Sequence, residues 1–245
     1  MTDIEFISKQ CENYREGLAY RTYDRSYFGY LVDDPSRRVR KKLSGNPVAV
    51  VIKYIYEKLM IDPEEDVRVA LAGNSEIPEI AAIHLSTDKS DRVLLELAGN
   101  SAIPEQAMLN IADDYHTDYW TGDHYVLIEL VRNEAITVKV MEKMSENIDF
   151  RGGVAVMIAL ANHPAINDKI AMDLLKSWSS DEIEDILAGN PHISELIMLK
   201  IVDSCSIDTI TELMKHPKLT QKVIDEMEAH WDQTIRERAG KAEGK

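Results

Sequence analysis

Two consecutive stretches of this chain are copies of one unit, Val67-Arg-Val-Ala-Leu71-Ala-Gly73-Asn74-Ser-Glu-Ile77-Pro78-Glu79 and Val93-Leu-Leu-Glu-Leu97-Ala-Gly99-Asn100-Ser-Ala-Ile103-Pro104-Glu105. Self-similarity at a fixed period of roughly 20 to 50 residues marks stacked repeats, so this feature constrains the fold more than any other. Using Leu-x-Gly-Asn as a ruler finds degenerate copies anchored at Asn46, Asn74, Asn100, Asn133, His163, Asn190 and His216, spaced 28, 26, 33, 30, 27 and 26 residues apart. Apolar residues stand seven and three positions before the anchors, as in Val39 and Leu43 or Val126 and Leu130. In the last copy Leu213 remains, but Thr209 breaks the pattern and Ile210 is expected to take its place.

An i, i+4 apolar pair ending at Gly predicts a short helix closed by a left-handed glycine. After each anchor comes Ile77, Ile103, Ile136, Ile166, Ile193 or Leu219, followed by Pro78, Pro104, Thr137, Asn167, Ser194 or Thr220. Proline at a first helical position and Thr, Asn or Ser as N-cap both deal with unpaired amides at a helix start, so a second, longer helix is expected there. Its predicted buried stripe includes Ile80, Ile83 and Leu85 in one copy and Leu196, Leu199 and Ile201 in another. One such hairpin cannot bury its apolar face alone and must stack on its neighbours.

The residues Asp66-Val67-Arg68, Leu71-Ala72-Gly73-Asn74 and Ile77-Pro78, with Leu97-Ala98-Gly99-Asn100 and Ile103-Pro104, resemble the leucine-rich repeat variant family of bacterial α-solenoids, which are HEAT-like in shape. Asp34-Pro35 through Gly45-Asn46-Pro47, His163-Pro164 and Asn190-Pro191 are similar. The resemblance implies an all-α, right-handed solenoid of about seven two-helix repeats over residues 34–230, with an N-terminal helical cap at 1–33 and a half-repeat cap and tail at 231–245. It is nearly silent on activity, because such repeats serve unrelated tasks. A member of the family carries a cysteine-ligated iron–sulfur cluster in an N-terminal extension. The extension here holds only Cys11, so that feature does not carry over.

Charge separates the function classes. Residues 1–60 hold 11 Lys and Arg against 8 Asp and Glu, a balance of +3, so the remaining 185 carry −18 of the net −15. A body this acidic repels phosphate backbones, which makes nucleic acid an unfavourable partner. A HEAT-like nucleic-acid enzyme is disfavoured for the same reason, and an acidic inhibitor or immunity-type protein covering a basic enzyme stays open as an alternative. The basic cluster Arg37, Arg38, Arg40, Lys41 and Lys42 spreads around more than one helical face, against a concentrated phosphate site. No phosphate-cradling Gly loop, nucleophile elbow or His-Glu-x-x-His is present, so no catalytic residue, cofactor or metal is assigned. The start lacks a signal-peptide pattern and no apolar run reaches bilayer length, so the expected address is cytoplasmic with no membrane role.

The expected activity is therefore binding or scaffolding of another protein or peptide, possibly basic. The widest spacing, between Asn100 and Asn133, contains an insert with Tyr115, Tyr119 and Trp120 among Asp118 and Asp123. Repeat inserts project from one face, which makes these five residues a candidate recognition element, with packing onto neighbouring helices as the alternative. Its His116 and His124 lack helical spacing and convergent partners, so no metal site is expected. Glu79, Glu105, Asp168 and Glu195 stand one residue into the second helices; they complement the helix dipole and, stacked in register, form an acidic row for a basic ligand. The recurring Asn is expected to satisfy backbone groups of its own turn rather than grip a bound peptide. At the N-terminus Ile4, Ile7, Cys11, Tyr14 and Leu18 share a helical face, and Tyr14, Tyr20, Tyr23, Tyr27, Phe28 and Tyr30, interleaved with Arg15, Arg21 and Arg25, are expected to bury their rings in the cap, with stacking on bases or gripping an extended peptide as the alternative.

Overall fold

A computed structural model describes residues 3–114, 125–147, 153–177, 181–203 and 206–229. Within them the chain is all-helical, and it divides into two compact units at residue 136. The first unit contains α1 (Asp3–Ser8), α2 (Glu12–Arg21), α3 (Arg25–Leu31), α4 (Arg37–Ser44), α5 (Pro47–Val50), α6 (Lys53–Leu59), α7 (Glu65–Ala72), α8 (Glu79–Leu85), α9 (Asp91–Ala98), α10 (Glu105–Asp114) and α11 (Tyr125–Arg132). The second contains α12 (Val138–Asn147), α13 (Val154–Ala161), α14 (Asp168–Ser177), α15 (Asp181–Gly189), α16 (Glu195–Val202), α17 (Ile207–Leu213) and α18 (Gln221–Ala229).

Both units are solenoid stacks of helical hairpins. In the first, α2 packs on α4, α4 on α7, α7 on α9 and α9 on α11, with α8 on α10 in the second layer. In the second, α13, α15 and α17 form one layer and α12, α14, α16 and α18 the other. The apolar pair of each first helix points between the layers: Val67 and Leu71, Val93 and Leu97, and Val156 and Leu160 are fully buried. Burying a Leu or Val side chain contributes roughly 1.5–3 kcal/mol, and here that gain is made only against the neighbouring repeat.

Several sequence expectations need correction. The second helix is not uniformly the longer one, since α8 has 7 residues against 8 in α7. Pro78 is the N-cap of α8, with extended backbone, and Glu79 is the first helical residue. The buried stripe of the second helix is rotated: Ile80 and Leu196 are 61% and 57% exposed, while Ala81, Ala82 and Leu85, and Ile197, Met198 and Ile201, are buried. Thr209 keeps the buried slot it was expected to lose, because its hydroxyl donates to Asp185 Oδ1 at 2.5 Å. At the N-terminus, α1 ends at Ser8 and α2 starts at Glu12, so the apolar face traced from Ile4 to Leu18 is broken between two helices, with Cys11 exposed between them.

The glycine caps are also not left-handed. Gly45, Gly73 and Gly99 have φ of −82°, −81° and −78°, in the ordinary right-handed region. The donors a left-handed cap would supply come from the next repeat. Asn100 Nδ2 donates to Ala72 O at 2.6 Å and Asn74 O at 2.9 Å, while its Oδ1 accepts the Ala102 amide at 2.9 Å. Ala72 is the last residue of α7, so Asn100 satisfies one of the carbonyls a helix end leaves unpaired. Asn133 does the same for Ala98 and Asn100, Asn74 for Ser44, and Asn190 for Ala161 and His163. His216 joins through Nε2 to Asn190 O at 2.9 Å while Nδ1 accepts the Lys218 amide. Asn46 reaches Ala19 O and Thr22 O, which continues the ladder into the N-terminal helices. Half of each Asn therefore serves its own turn, as the sequence predicts, and the other half clasps the preceding repeat.

Gly45 offers a direct check, because a Cβ there meets only the Lys42 and Lys41 carbonyl oxygens, at 3.7 and 4.0 Å. Gly45→Ala is expected to raise stability by about 0.4–1 kcal/mol in urea unfolding, through lost freedom of the unfolded chain. A loss of more than about 1 kcal/mol would instead indicate the left-handed backbone.

A second ladder has no counterpart in the sequence reading. Arg40 Nε and Nη2 grip Asp62 at 2.6 and 3.1 Å, and its Nη1 donates to Asp34 O at 2.8 Å. Arg68 repeats this on Asp88 and Asp62 O, and Arg15 on Asp34 and Gln10 O. Each Asp also accepts an amide two residues on, from Ser36, Glu64 or Ser90. The α2–α3 hairpin thus makes the same bonds to α4 that later hairpins make to one another.

Candidate functional site

Of the expected recognition element, Tyr115, Asp118, Tyr119, Trp120 and Asp123 lie outside the described residues. The acidic positions fall into two sets. Glu79 and Glu105 begin α8 and α10 in the first unit and are exposed; Asp168 and Glu195 begin α14 and α16 in the second. Glu195 is engaged within the stack: Thr220 hydrogen-bonds to it and Lys222 Nζ lies 3.4 Å away, which together hold its carboxyl below the usual glutamate range. That carboxylate is already partnered by the next hairpin.

The anchor at His163 differs from the asparagines in a way that titrates. Its Nδ1 accepts the Ala165 amide at 3.1 Å, which requires the unprotonated nitrogen, and burial lowers its pKa from 6.5. A histidine depressed in the folded state is bound by more protons when unfolded, so its stabilising contribution is full above about pH 6.5 and is lost as pH falls toward the folded pKa. His163→Asn is therefore expected to flatten the stability of the second unit between pH 7 and 5, roughly the histidine range, read from urea midpoints. An unchanged pH slope would contradict this.

A different acidic arrangement, which sequence reasoning missed, lies on the first-helix layer of the first unit. Gly73 leaves room that Glu96 of the next repeat occupies; a Cβ on residue 73 would run into the Glu96 carboxylate and Cγ. Gly99 stands in the same relation to Glu129, whose Oε1 lies 3.3 Å from where a Cβ would be. Gly73, Leu95, Glu96, Gly99, Asn100 and Glu129 line an open cleft of roughly 450 Å³. Among the described residues neither Glu96 nor Glu129 has an ion pair or hydrogen bond, and Leu95 is exposed beside them. The usable signal was a Glu four residues before the anchor in consecutive copies, opposite a Gly in the copy before. In the second unit a cleft of roughly 500 Å³ includes Gly189 and Glu212, but there Lys215 pairs with Glu212 at 2.7 Å and Asp185 accepts from Thr209.

Four of the five cations of the basic cluster on α4 are paired with carboxylates of the stack. Arg37 pairs with Glu64, Arg38 with Glu16, Arg40 with Asp62 and Lys41 with Asp66, and Lys42 Nζ sits 5.5 Å from the Tyr20 ring centroid. These cations therefore do not assemble a phosphate site. The described residues contain no cluster of three metal-type ligands and no helix long and apolar enough to cross a membrane.

Comparison with protein-family models and with curated proteins gives no match. Among solved structures the chain is similar to computationally designed armadillo repeat proteins for modular peptide recognition, at 13% identity over 98% of this chain and 97% of that one, with a TM-score of 0.15. An engineered protein matches at 14% identity, 99% and 97% coverage and a TM-score of 0.16. A second designed armadillo repeat protein matches at 12% identity, 98% and 96% coverage and a TM-score of 0.15. Scores this low mean the backbones do not superpose as wholes, and no functional conclusion follows from them. The class of protein, an all-helical repeat solenoid, rests on the stacked hairpins themselves.

Proposed function

We propose that the protein is a non-enzymatic interaction module, with repeats of the leucine-rich-variant type, that holds a basic segment of another protein against the acidic first-helix layer of its first unit. The observation that carries this reading is the pair Glu96 and Glu129, unpartnered on either side of the Gly73–Gly99 floor, with Leu95 exposed between them. Carboxylates without cations on a preformed surface steer a cationic partner, and the two glycines give the Glu96 and Glu129 side chains the room to lie along that surface. Glu79 and Glu105 are further acidic positions in the same unit, and the insert around Trp120 is proposed separately as an aromatic anchor.

The test is fluorescence anisotropy with a short labelled peptide of alternating Lys, Arg and Leu. Glu96→Lys combined with Glu129→Lys is expected to weaken binding by about tenfold, from two exposed pairs that together contribute roughly 1–2 kcal/mol. Glu79→Lys with Glu105→Lys, and Trp120→Ala, apportion the remainder. If none of the three changes the affinity, this choice of surface is wrong.

A further inference from the structure

The first 60 residues carry the opposite sign from the rest of the chain, +3 against −18. Their tyrosines were expected to bury their rings in a cap. Phe28 is fully buried, but Tyr20 is 56% exposed, Tyr23 is 78% exposed, and Tyr14 is exposed as well. Tyr54 and Val51 of the next hairpin are exposed too. Tyrosine rings left in water beside free cations are unusual for a terminal cap and are the composition of an interface.

Three contacts connect the elements that carry these side chains. Lys42 of α4 lies over the Tyr20 ring. Asn46, the N-cap of α5, donates to Thr22 O at 3.0 Å, which places the start of α5 beside the chain entering Tyr23. The Tyr54 hydroxyl lies against Gly29, 3.2 Å from where a Cβ would be, one helical turn along α3 from Arg25. Among the described residues Arg21, Arg25 and Lys42 have no carboxylate partner, in contrast to Arg37, Arg38, Arg40 and Lys41 on the same hairpins. These elements therefore expose three tyrosines, Tyr20, Tyr23 and Tyr54, with three cations, Arg21, Arg25 and Lys42, beside the carboxylate of Asp24, whose oxygen already accepts from Ser26.

We propose that this surface is a second docking site, for an extended acidic polypeptide segment that brings apolar side chains onto the tyrosines and carboxylates onto Arg21, Arg25 and Lys42. Charge complementarity selects that occupant. The balance of cations over carboxylates here is the opposite of that over residues 61–245, so a segment with a few carboxylates spaced along an apolar backbone is attracted to this surface. A nucleic acid, with a charge on every residue, meets the full repulsion of a −15 chain beyond the patch. Together with the acidic cleft, the first unit becomes a scaffold that holds two partners of opposite sign. This second site stands independently of the first.

The experiment uses the full chain and three labelled probes: a short peptide of alternating Glu, Asp, Leu and Phe; the same peptide with Lys replacing the acids; and an oligouridylate of equal length. The acidic peptide is expected to bind saturably and to weaken as salt is raised. Arg21→Glu with Arg25→Glu is expected to weaken it by on the order of tenfold or more, and Tyr23→Ala or Tyr54→Ala by roughly fivefold. Far-UV circular dichroism and the melting temperature should be unchanged, because all four side chains are exposed. Glu96→Lys with Glu129→Lys should leave acidic-peptide binding intact and weaken only the Lys peptide, so failure of one site is distinguishable from failure of the other. The proposal is overturned if the acidic peptide does not bind, if the double arginine variant binds it equally well, or if the oligouridylate binds through Arg21 and Arg25 in its place.

Discussion

Asn100→Ala is expected to lower the stability of the first unit by about 2–3 kcal/mol in urea unfolding, far more than a polar residue in a surface turn would cost. The substitution removes two donations across the repeat boundary and one acceptor within the turn. Asn74 O still accepts the Ile77 amide, so the main loss is at Ala72 O, which ends α7 under the next hairpin. A buried acceptor left without a donor costs roughly 1–3 kcal/mol, and the missing acceptor for the Ala102 amide adds a smaller increment. The variant series orders the mechanism. Asn100→His should fall between wild type and Ala, because His216 accepts an amide through Nδ1 and reaches the preceding anchor carbonyl through Nε2, a pattern that would keep the Ala102 and Asn74 bonds and lose only the one to Ala72 O. Asn100→Asp should be at least as damaging as Ala near neutral pH, since a carboxylate would face the two carbonyl oxygens that now receive amide protons. A loss below about 0.5 kcal/mol for Asn100→Ala would mean the ladder is a consequence of stacking and not one of its causes.

Asp34→Ala should be costlier still, at about 3–5 kcal/mol. The Asp34 side chain is fully buried and accepts from Arg15 Nε at 2.7 Å, Arg15 Nη2 at 3.2 Å and the Ser36 amide at 2.9 Å. Removing it leaves the largely buried Arg15 guanidinium without its counter-charge. Most of the loss comes from that stranded cation, so adding Arg15→Met to Asp34→Ala is expected to recover a substantial part of the stability. Asp34→Asn should fall between wild type and Ala, because its amide oxygen still accepts the Ser36 amide. Additive effects of Arg15→Met and Asp34→Ala would show that the pair is not coupled and that the cost lies in the loop backbone.

Individual residues show where sequence reading succeeded and where it stopped. The hairpin period, the first-helix apolar pairs and the isoleucine after the five central anchors, Asn74 to Asn190, were legible because they repeat at fixed spacing and need no partner to be recognised. The rotation of the second-helix stripe was not, since Ile80 and Ala81 are equally apolar neighbours and only packing decides which of them is covered. The Arg–Asp ladder was legible in retrospect: Arg40 and Arg68 stand six residues before their anchors, and Asp34, Asp62 and Asp88 stand twelve before theirs. In the next copy Leu94 holds the arginine place and Thr121 the aspartate place, so both partners disappear together. No search confined to single repeats finds that relation.

By itself the sequence determined that this chain builds helical hairpins that must stack, because periodicity and burial of apolar side chains are local properties written into each copy. The tertiary structure alone decided which groups are spent inside the stack and which are left unpaired at its surface. Arg40 and Arg21 look alike in the sequence, as do Glu195 and Glu96; what separates them is whether the neighbouring hairpin brings an opposite charge within hydrogen-bond reach.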